Sequence, residues 1–276
     1  MNLQDHSINI IMYHYVRPIK NSQYPKLKGL ELNKFYSQIQ YLKKRCNILS
    51  HNEIFEVLKS KKIPKKPSIL LTFDDGYKDH YKYVFPYLKK NKIYGSFYAP
   101  VKTSQNKTIL DVNKIHFILE KENNRDKIYK EIKDIIRKKF KKNINDFNLS
   151  NINLSSRYDN KITTLIKKLL QTHLPLRIRK YIIDTLFKKI LSLSSNEFIK
   201  EMYLNTNDIS EMIKSNMTFG VHGYDHLRWG ELSKKKQKIE LDKSLEFLKK
   251  FDKKNKKFSV CYPYGSYNND SLKILN

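Results

Sequence analysis

The chain is poor in cysteine: Cys46 and Cys261 are its only two, far apart and with no Cys-x-x-Cys spacing. That excludes a disulfide framework and a thiolate metal site, and it fits a reducing compartment. Acidic residues are also scarce, 27 Asp+Glu against 55 Lys+Arg, for a formal charge of +28. Such an imbalance concentrates anionic partners and leaves electrostatic association with an anionic glycan or membrane surface open. Lysine is spread over most predicted helices, however, so a drift of overall composition explains the charge better than a dedicated polyanion site. No recognisable RNA- or DNA-binding module is present, and charge alone does not predict a specific nucleic-acid partner. No run approaches the roughly 18 apolar residues that cross a bilayer. The leading MNLQDHSINIIMYHYV has no basic segment and no uninterrupted apolar run of the kind a secretion signal carries. These absences predict a soluble, cytoplasmic chain without a transmembrane segment.

What is present is a strand–helix alternation. INIIMY at 8–13 is apolar and β-branched, as expected of a strand covered on both faces, and it ends at His14. Helical spacing over 32–45 (Phe35, Ile39, Leu42) and a shorter helix over 52–59 follow, until Pro-Lys-Lys-Pro at 64–67 halts the pattern. SILLTF at 68–73 is the next buried strand. A helix with Tyr83, Val84, Tyr87 and Leu88 on one face then leads to a strand at 95–98. This order predicts an α/β fold with a parallel sheet. Residues 101–215 change to helix upon helix, with a polar loop over 143–160 and a break near Pro175, and read as a helical insertion or a small second domain. Strands are expected again at 217–221 and 258–262, with a helix between them over 233–251. The organisation expected is therefore 1–100 and 216–276 as two parts of one α/β unit, with 101–215 inserted.

Three short stretches carry candidate chemistry. In LTFDDGYKDH, residues 71–80, two adjacent carboxylates meet a glycine at the end of a strand. An aspartate there can simply cap a helix or close a turn, but that explains one acid and not two. If the chain turns at the glycine, one carboxylate can hold a cation while the other accepts a proton. In VHGYDHLRWG, His222 and His226 are four apart, so a helical turn would aim both imidazoles at one divalent ion. Two exposed histidines on a helix are the plainer reading. CYPYGSYN, 261–268, is either an ordinary proline-aromatic turn or a turn that presents backbone N–H groups to an oxyanion, with tyrosines walling a sugar subsite. In parallel α/β folds the C-terminal strand ends converge, and all three stretches follow predicted strands. His14 also follows a strand and is kept as a substrate-binding candidate.

TFDDG, HGYDH and YPYG, in this order, resemble the first three motifs of the polysaccharide deacetylase family, the chitooligosaccharide-deacetylase-like carbohydrate esterases. MYHYV resembles the first strand of many members, and LQTHLP with the IR and LF that follow resembles the helical insertion of one bacterial subgroup. The resemblance implies an irregular, incomplete (β/α) barrel and a hydrolase that removes acetyl groups from an N-acetylated or O-acetylated sugar of a polysaccharide or surface glycan. It also implies one divalent metal ion, zinc being the one expected, held by Asp75, His222 and His226. Asp74 takes the role of catalytic base and the Tyr264 N–H that of an oxyanion donor, while Tyr262, Pro263, Tyr264 and His14 fall at substrate-binding positions.

Two features depart from the pattern. Many members open the third motif with arginine, where this chain has Cys261. The family's two further motifs, one a leucine-x-histidine whose histidine protonates the leaving group, would lie beyond position 276, so the chain is expected to be C-terminally truncated. The alternative reading is thus a catalytically impaired homologue acting as a carbohydrate-binding or assembly protein.

Overall fold

A computed structural model describes residues 7–62, 64–105, 107–150, 152–191, 195–253 and 257–275. The strands are β1 (Ile8–Tyr13), β2 (Val16–Arg17), β3 (Leu30–Glu31), β4 (Asn47–Ile48), β5 (Ser68–Asp74), β6 (Ser96–Ala99) and β7 (Thr218–Val221). The principal sheet runs β1-β5-β6-β7, all pairs parallel, so the fold is α/β as the alternation predicts. Because β1 pairs along β5 from Ile8↔Ser68 to Tyr13↔Phe73, β4 and β6 share the other edge of β5. β2 and β3 form a separate parallel pair.

The register does something that no single strand shows. Tyr13 pairs with Phe73, Phe73 with Phe97, and Phe97 with Phe219, so one aromatic from each of four neighbouring strands lies on a single rung. The rings stack at centroid distances of 5.2, 4.8 and 5.5 Å. Such pairs contribute about 0.5–1.5 kcal/mol each beyond their buried area. The rung also aligns the C-terminal strand ends: His14, Asp74 and His222 all lie within three residues of it in sequence.

β5 is buried at every position, which accounts for its unbroken apolar sequence. β1 corrects the expectation of two covered faces. Ile10 and Met12 are 68% and 58% exposed, because alternation sends both to a face that nothing described covers. β-branching favours a strand whether or not its faces are buried, so the sequence did not distinguish the two cases. The strand expected at 258–262 is also reduced to one bridge, Val221↔Val260, with the Val221 N–H donating to Ser259 O and the Cys261 N–H to Val221 O, both at 2.9 Å. Beyond it the chain tightens at Pro263, which has no N–H to extend a ladder.

Helices follow the expected faces closely. Leu32–Arg45 buries Phe35, Ile39 and Leu42, and His51–Ser60 begins at a Ser50–Glu53 capping box. After β5 the chain passes through a π turn, His80–Val84, into Phe85–Lys90, burying Val84 and Leu88. Lys234–Lys249 buries Leu241, Phe247 and Leu248, and Asn269–Leu275 is a short further helix.

The chain divides into two compact units. The first, Met1–Ile19, Gly29–Thr108 and Ser195–Asn276, contains the sheet and the helices Ser195–Met202 and Thr206–Lys214. The second, Lys20–Lys28 and Ile109–Ser194, contains Asp111–Lys121, Arg125–Phe140, Lys161–Lys168 and Leu176–Ile190. Ile128, Ile132 and Ile136 bury one stripe of its longest helix. Pro175 stands immediately before Leu176–Ile190, where its fixed φ suits a helix start and its missing N–H costs nothing. Among the described residues no helix is long and apolar enough to cross a membrane.

Candidate functional site

Two successive left-handed residues end β5: Asp75 at φ 68° and Gly76 at φ 63°. A strand would send Asp74 and Asp75 to opposite faces, but this reversal brings both carboxylates to the same His222–Cys261 neighbourhood. Glycine at 76 is required twice over, by its φ and because a Cβ there would lie 2.6 Å from the Cβ of Ala99. The Gly76 carbonyl accepts from the Leu204 N–H at 2.8 Å, which fixes the turn.

The histidine pair corrects one expectation about the route. Residues 222–226 form no helix; Gly223 at φ 74° and His226 at φ 54° bend the chain instead. The rings still converge, with centroids 4.9 Å apart. Glu240 holds the bend from the neighbouring helix, one carboxylate oxygen accepting from the N–H groups of Tyr224 at 2.8 Å and Asp225 at 2.9 Å.

Asp75 Oδ1 lies 3.4 Å from His222 Nε2 and 3.1 Å from His226 Nε2. All three residues are buried and offer donor atoms within 4.8 Å of one another. Tyr77 donates its hydroxyl to the other oxygen of Asp75 at 2.6 Å. Nδ1 of His222 is 2.7 Å from the carbonyl oxygen of Cys261, which orients the ring and leaves Nε2 toward the cluster. Burial alone would raise the Asp75 carboxyl, yet the two imidazoles hold it well below the usual carboxylate range. Burial pushes His226 down toward its neutral form, whereas for His222 the same burial is outweighed by bonding to Asp75, which holds it well above its ordinary value. One carboxylate oxygen and two imidazole nitrogens, dry and convergent, make a donor set that fits a divalent transition metal.

Asp74 is as buried as its neighbour but differs in its partners. It is 3% exposed, and among the described residues its buried Oδ1 has no hydrogen-bond partner. Its Oδ2 takes the thiol of Cys261 at 3.4 Å, at the position where arginine was the family expectation. Burial pushes its carboxyl up, opposed by the charges of His222 and His14. A buried carboxylate with one anchored and one unpartnered oxygen is suited to accepting a proton.

The remaining candidates divide. Tyr264 sits at φ 59° in the short turn Pro263–Gly265, with its ring 4.7 Å from that of His226 and the Arg228 guanidinium 4.3 Å over its face. Tyr262 packs on Tyr267 and edge-on to Trp229, and Pro263 is buried at the start of the turn. The His14 side chain is exposed, while its carbonyl receives Nε2 of His80 at 2.8 Å. Several supporting groups carried no readable signal in sequence. The Arg17–Asp79 pair, bidentate at 2.7 Å for both bonds, spans 62 residues, and Tyr77, His80 and Glu240 gain their roles only once the strand ends are neighbours.

The polysaccharide deacetylase family model matches residues 61–134 and 180–276. No curated protein sequence matches the chain. Among solved structures, the deacetylase PplD of Streptococcus pyogenes in complex with acetate is similar at 18% identity and TM-score 0.55, over 97% of this chain and 78% of that one. A de-N-acetylase from Aggregatibacter actinomycetemcomitans follows at 14% and 0.53, over 96% and 82%. IcaB from Ammonifex degensii is similar at 15% and 0.51, over 97% and 81%. At these identities the likeness is one of fold.

Proposed function

The chain belongs to the polysaccharide deacetylase family of hydrolases acting on acetylated sugars, and from that membership we propose a metal-dependent enzyme that removes acetyl groups from an N-acetylated sugar of a polysaccharide or surface glycan. The observation that carries the finer reading is the buried Asp75–His222–His226 cluster beside the unpartnered oxygen of Asp74. These three residues would hold the ion, and two nitrogens with one oxygen favour zinc. When bound, a divalent ion supplies Lewis acidity, lowering the pKa of water and polarising a carbonyl.

The chain's own groups then have separate roles. Asp74 Oδ1 takes the proton from attacking water, its other oxygen being anchored by Cys261. Elevation of the Asp74 carboxyl by burial makes it a better proton acceptor once ionised. The Tyr264 N–H donates to negative charge developing on the acetyl oxygen. Its ring and that of Tyr262 offer aromatic faces to the sugar. Acetate release from an N-acetylglucosamine oligomer, measured beside Asp74→Asn, tests the reading. Turnover lost in the variant supports it, whereas the same release from both proteins would remove Asp74 from the mechanism.

A further inference from the structure

The helical unit contains a polar cavity of its own, of about 340 Å³, among Lys26, Lys28, Glu120, Arg125, Asp159 and Lys167. Its charges are arranged, not scattered. Asp159 receives Lys28 on one oxygen at 2.5 Å and Lys167 on the other at 2.6 Å, and Lys28 also donates to the Tyr158 carbonyl at 2.6 Å. Burial opposes the Asp159 charge, but the two lysines bring its carboxyl below the ordinary value. These two lysines are therefore already matched.

Two other cations are not. The Arg125 guanidinium donates to the backbone carbonyl of Glu122, and among the described residues neither it nor Lys26 has a carboxylate within ion-pair distance. Partial burial lowers the pKa of Arg125 by more than the nearby charges of Asp159 and Glu122 raise it. On the same cavity wall Glu120 is 7% exposed, and among the described residues its buried Oε2 has no hydrogen-bond partner. A bare anion would satisfy Arg125 and Lys26 but would face Glu120 with like charge. A neutral sugar would give Glu120 a hydroxyl donor and leave the guanidinium unmatched. One ligand class meets both needs, a sugar ring with an acidic substituent, and the volume lies at the small end of the roughly 300–1,000 Å³ typical of ligand pockets.

We propose that this cavity binds a single sugar unit bearing one anionic group, a carboxylate or a phosphate, with the anion on Arg125 and Lys26 and a ring hydroxyl on Glu120. The site stands independently of the deacetylase reading, since none of its residues belongs to the Asp75–His222–His226 cluster. Titration calorimetry of the full chain with glucuronate, glucose 6-phosphate, glucose and inorganic phosphate tests it. At least one anionic sugar should bind about tenfold or more tighter than both glucose and inorganic phosphate, and comparison of the two tells carboxylate from phosphate. Arg125→Gln should cost that ligand about tenfold or more while leaving glucose unchanged. Glu120→Gln, a separate and nearly isosteric change, should shrink the preference for the anionic sugar over inorganic phosphate. Absence of binding, equal binding of inorganic phosphate, or indifference to Arg125→Gln would each overturn the proposal.

Discussion

His222 donates from Nδ1 to the carbonyl oxygen of Cys261 at 2.7 Å, and this bond turns its Nε2 to face Asp75 Oδ1 at 3.4 Å. The third motif thus aims an imidazole of the second. Loss of either histidine should lower bound zinc, and the His222→Ala, His226→Ala double variant should retain none after dialysis against a weak chelator. Elemental analysis decides: zinc content equal to that of the wild type would eliminate the metal centre.

The Cys261 thiol reaches both Asp74 and His222, whereas its carbonyl holds His222 alone, so the thiol's part can be separated from the carbonyl's. Cys261→Ala removes the thiol donor but keeps the carbonyl. Zinc content should stay at the wild-type level while kcat falls by roughly 10- to 100-fold, the usual scale for losing an orienting partner. Cys261→Ser should recover most of the activity. A parallel loss of zinc and rate would mean that Cys261 supports the loop as a whole and not the base.

His80 gives the fold a pH dependence of known sign. It is fully buried, with burial lowering its pKa from 6.5 to about 4. Nε2 is bonded to the His14 carbonyl and, among the described residues, Nδ1 has no partner, an arrangement suited to the neutral ring. As pH falls, the unfolded chain takes up this proton first, so stability is full above about pH 6.5 and declines toward pH 4, by up to about 3 kcal/mol. Nitrogen-15 shifts should show His80 neutral at pH 5, and urea midpoints should fall across the same window. A protonated His80 at pH 5 in the folded protein would refute this.

Arg17 and Asp79 are 6% and 3% exposed, and they pair at 2.7 Å. Asp79→Asn should destabilise the protein by about 3–5 kcal/mol, because it leaves a guanidinium buried without its counter-charge. The Arg17→Met, Asp79→Leu double variant should lose much less. Chemical denaturation of both variants checks the pair, and similar losses in the two would contradict it.

Much of this was legible in the residues because buried parallel strands declare themselves as apolar runs and the site residues stand directly after them. SILLTF located Asp74 and Asp75, and Pro175 located a helix start. What periodicity did not carry is direction after a strand ends. His222 and His226 are spaced as on a helix, yet they converge through a bend that depends on Gly223 at φ 74°. Burial of a face is likewise a property of neighbours, which is why Ile10 and Met12 read as core and lie exposed. The aromatic rung is the clearest case. Tyr13, Phe73, Phe97 and Phe219 each read as strand residues, but only the register makes them adjacent.

Tyr77 has a consequence for the denticity of the centre. Its hydroxyl occupies one oxygen of Asp75 at 2.6 Å, so only the other faces the two imidazoles. The aspartate would thereby offer a cation one oxygen and not two, leaving more of the ion open to incoming molecules. A phenylalanine here would free the second oxygen to chelate, trading catalytic openness for tighter capture.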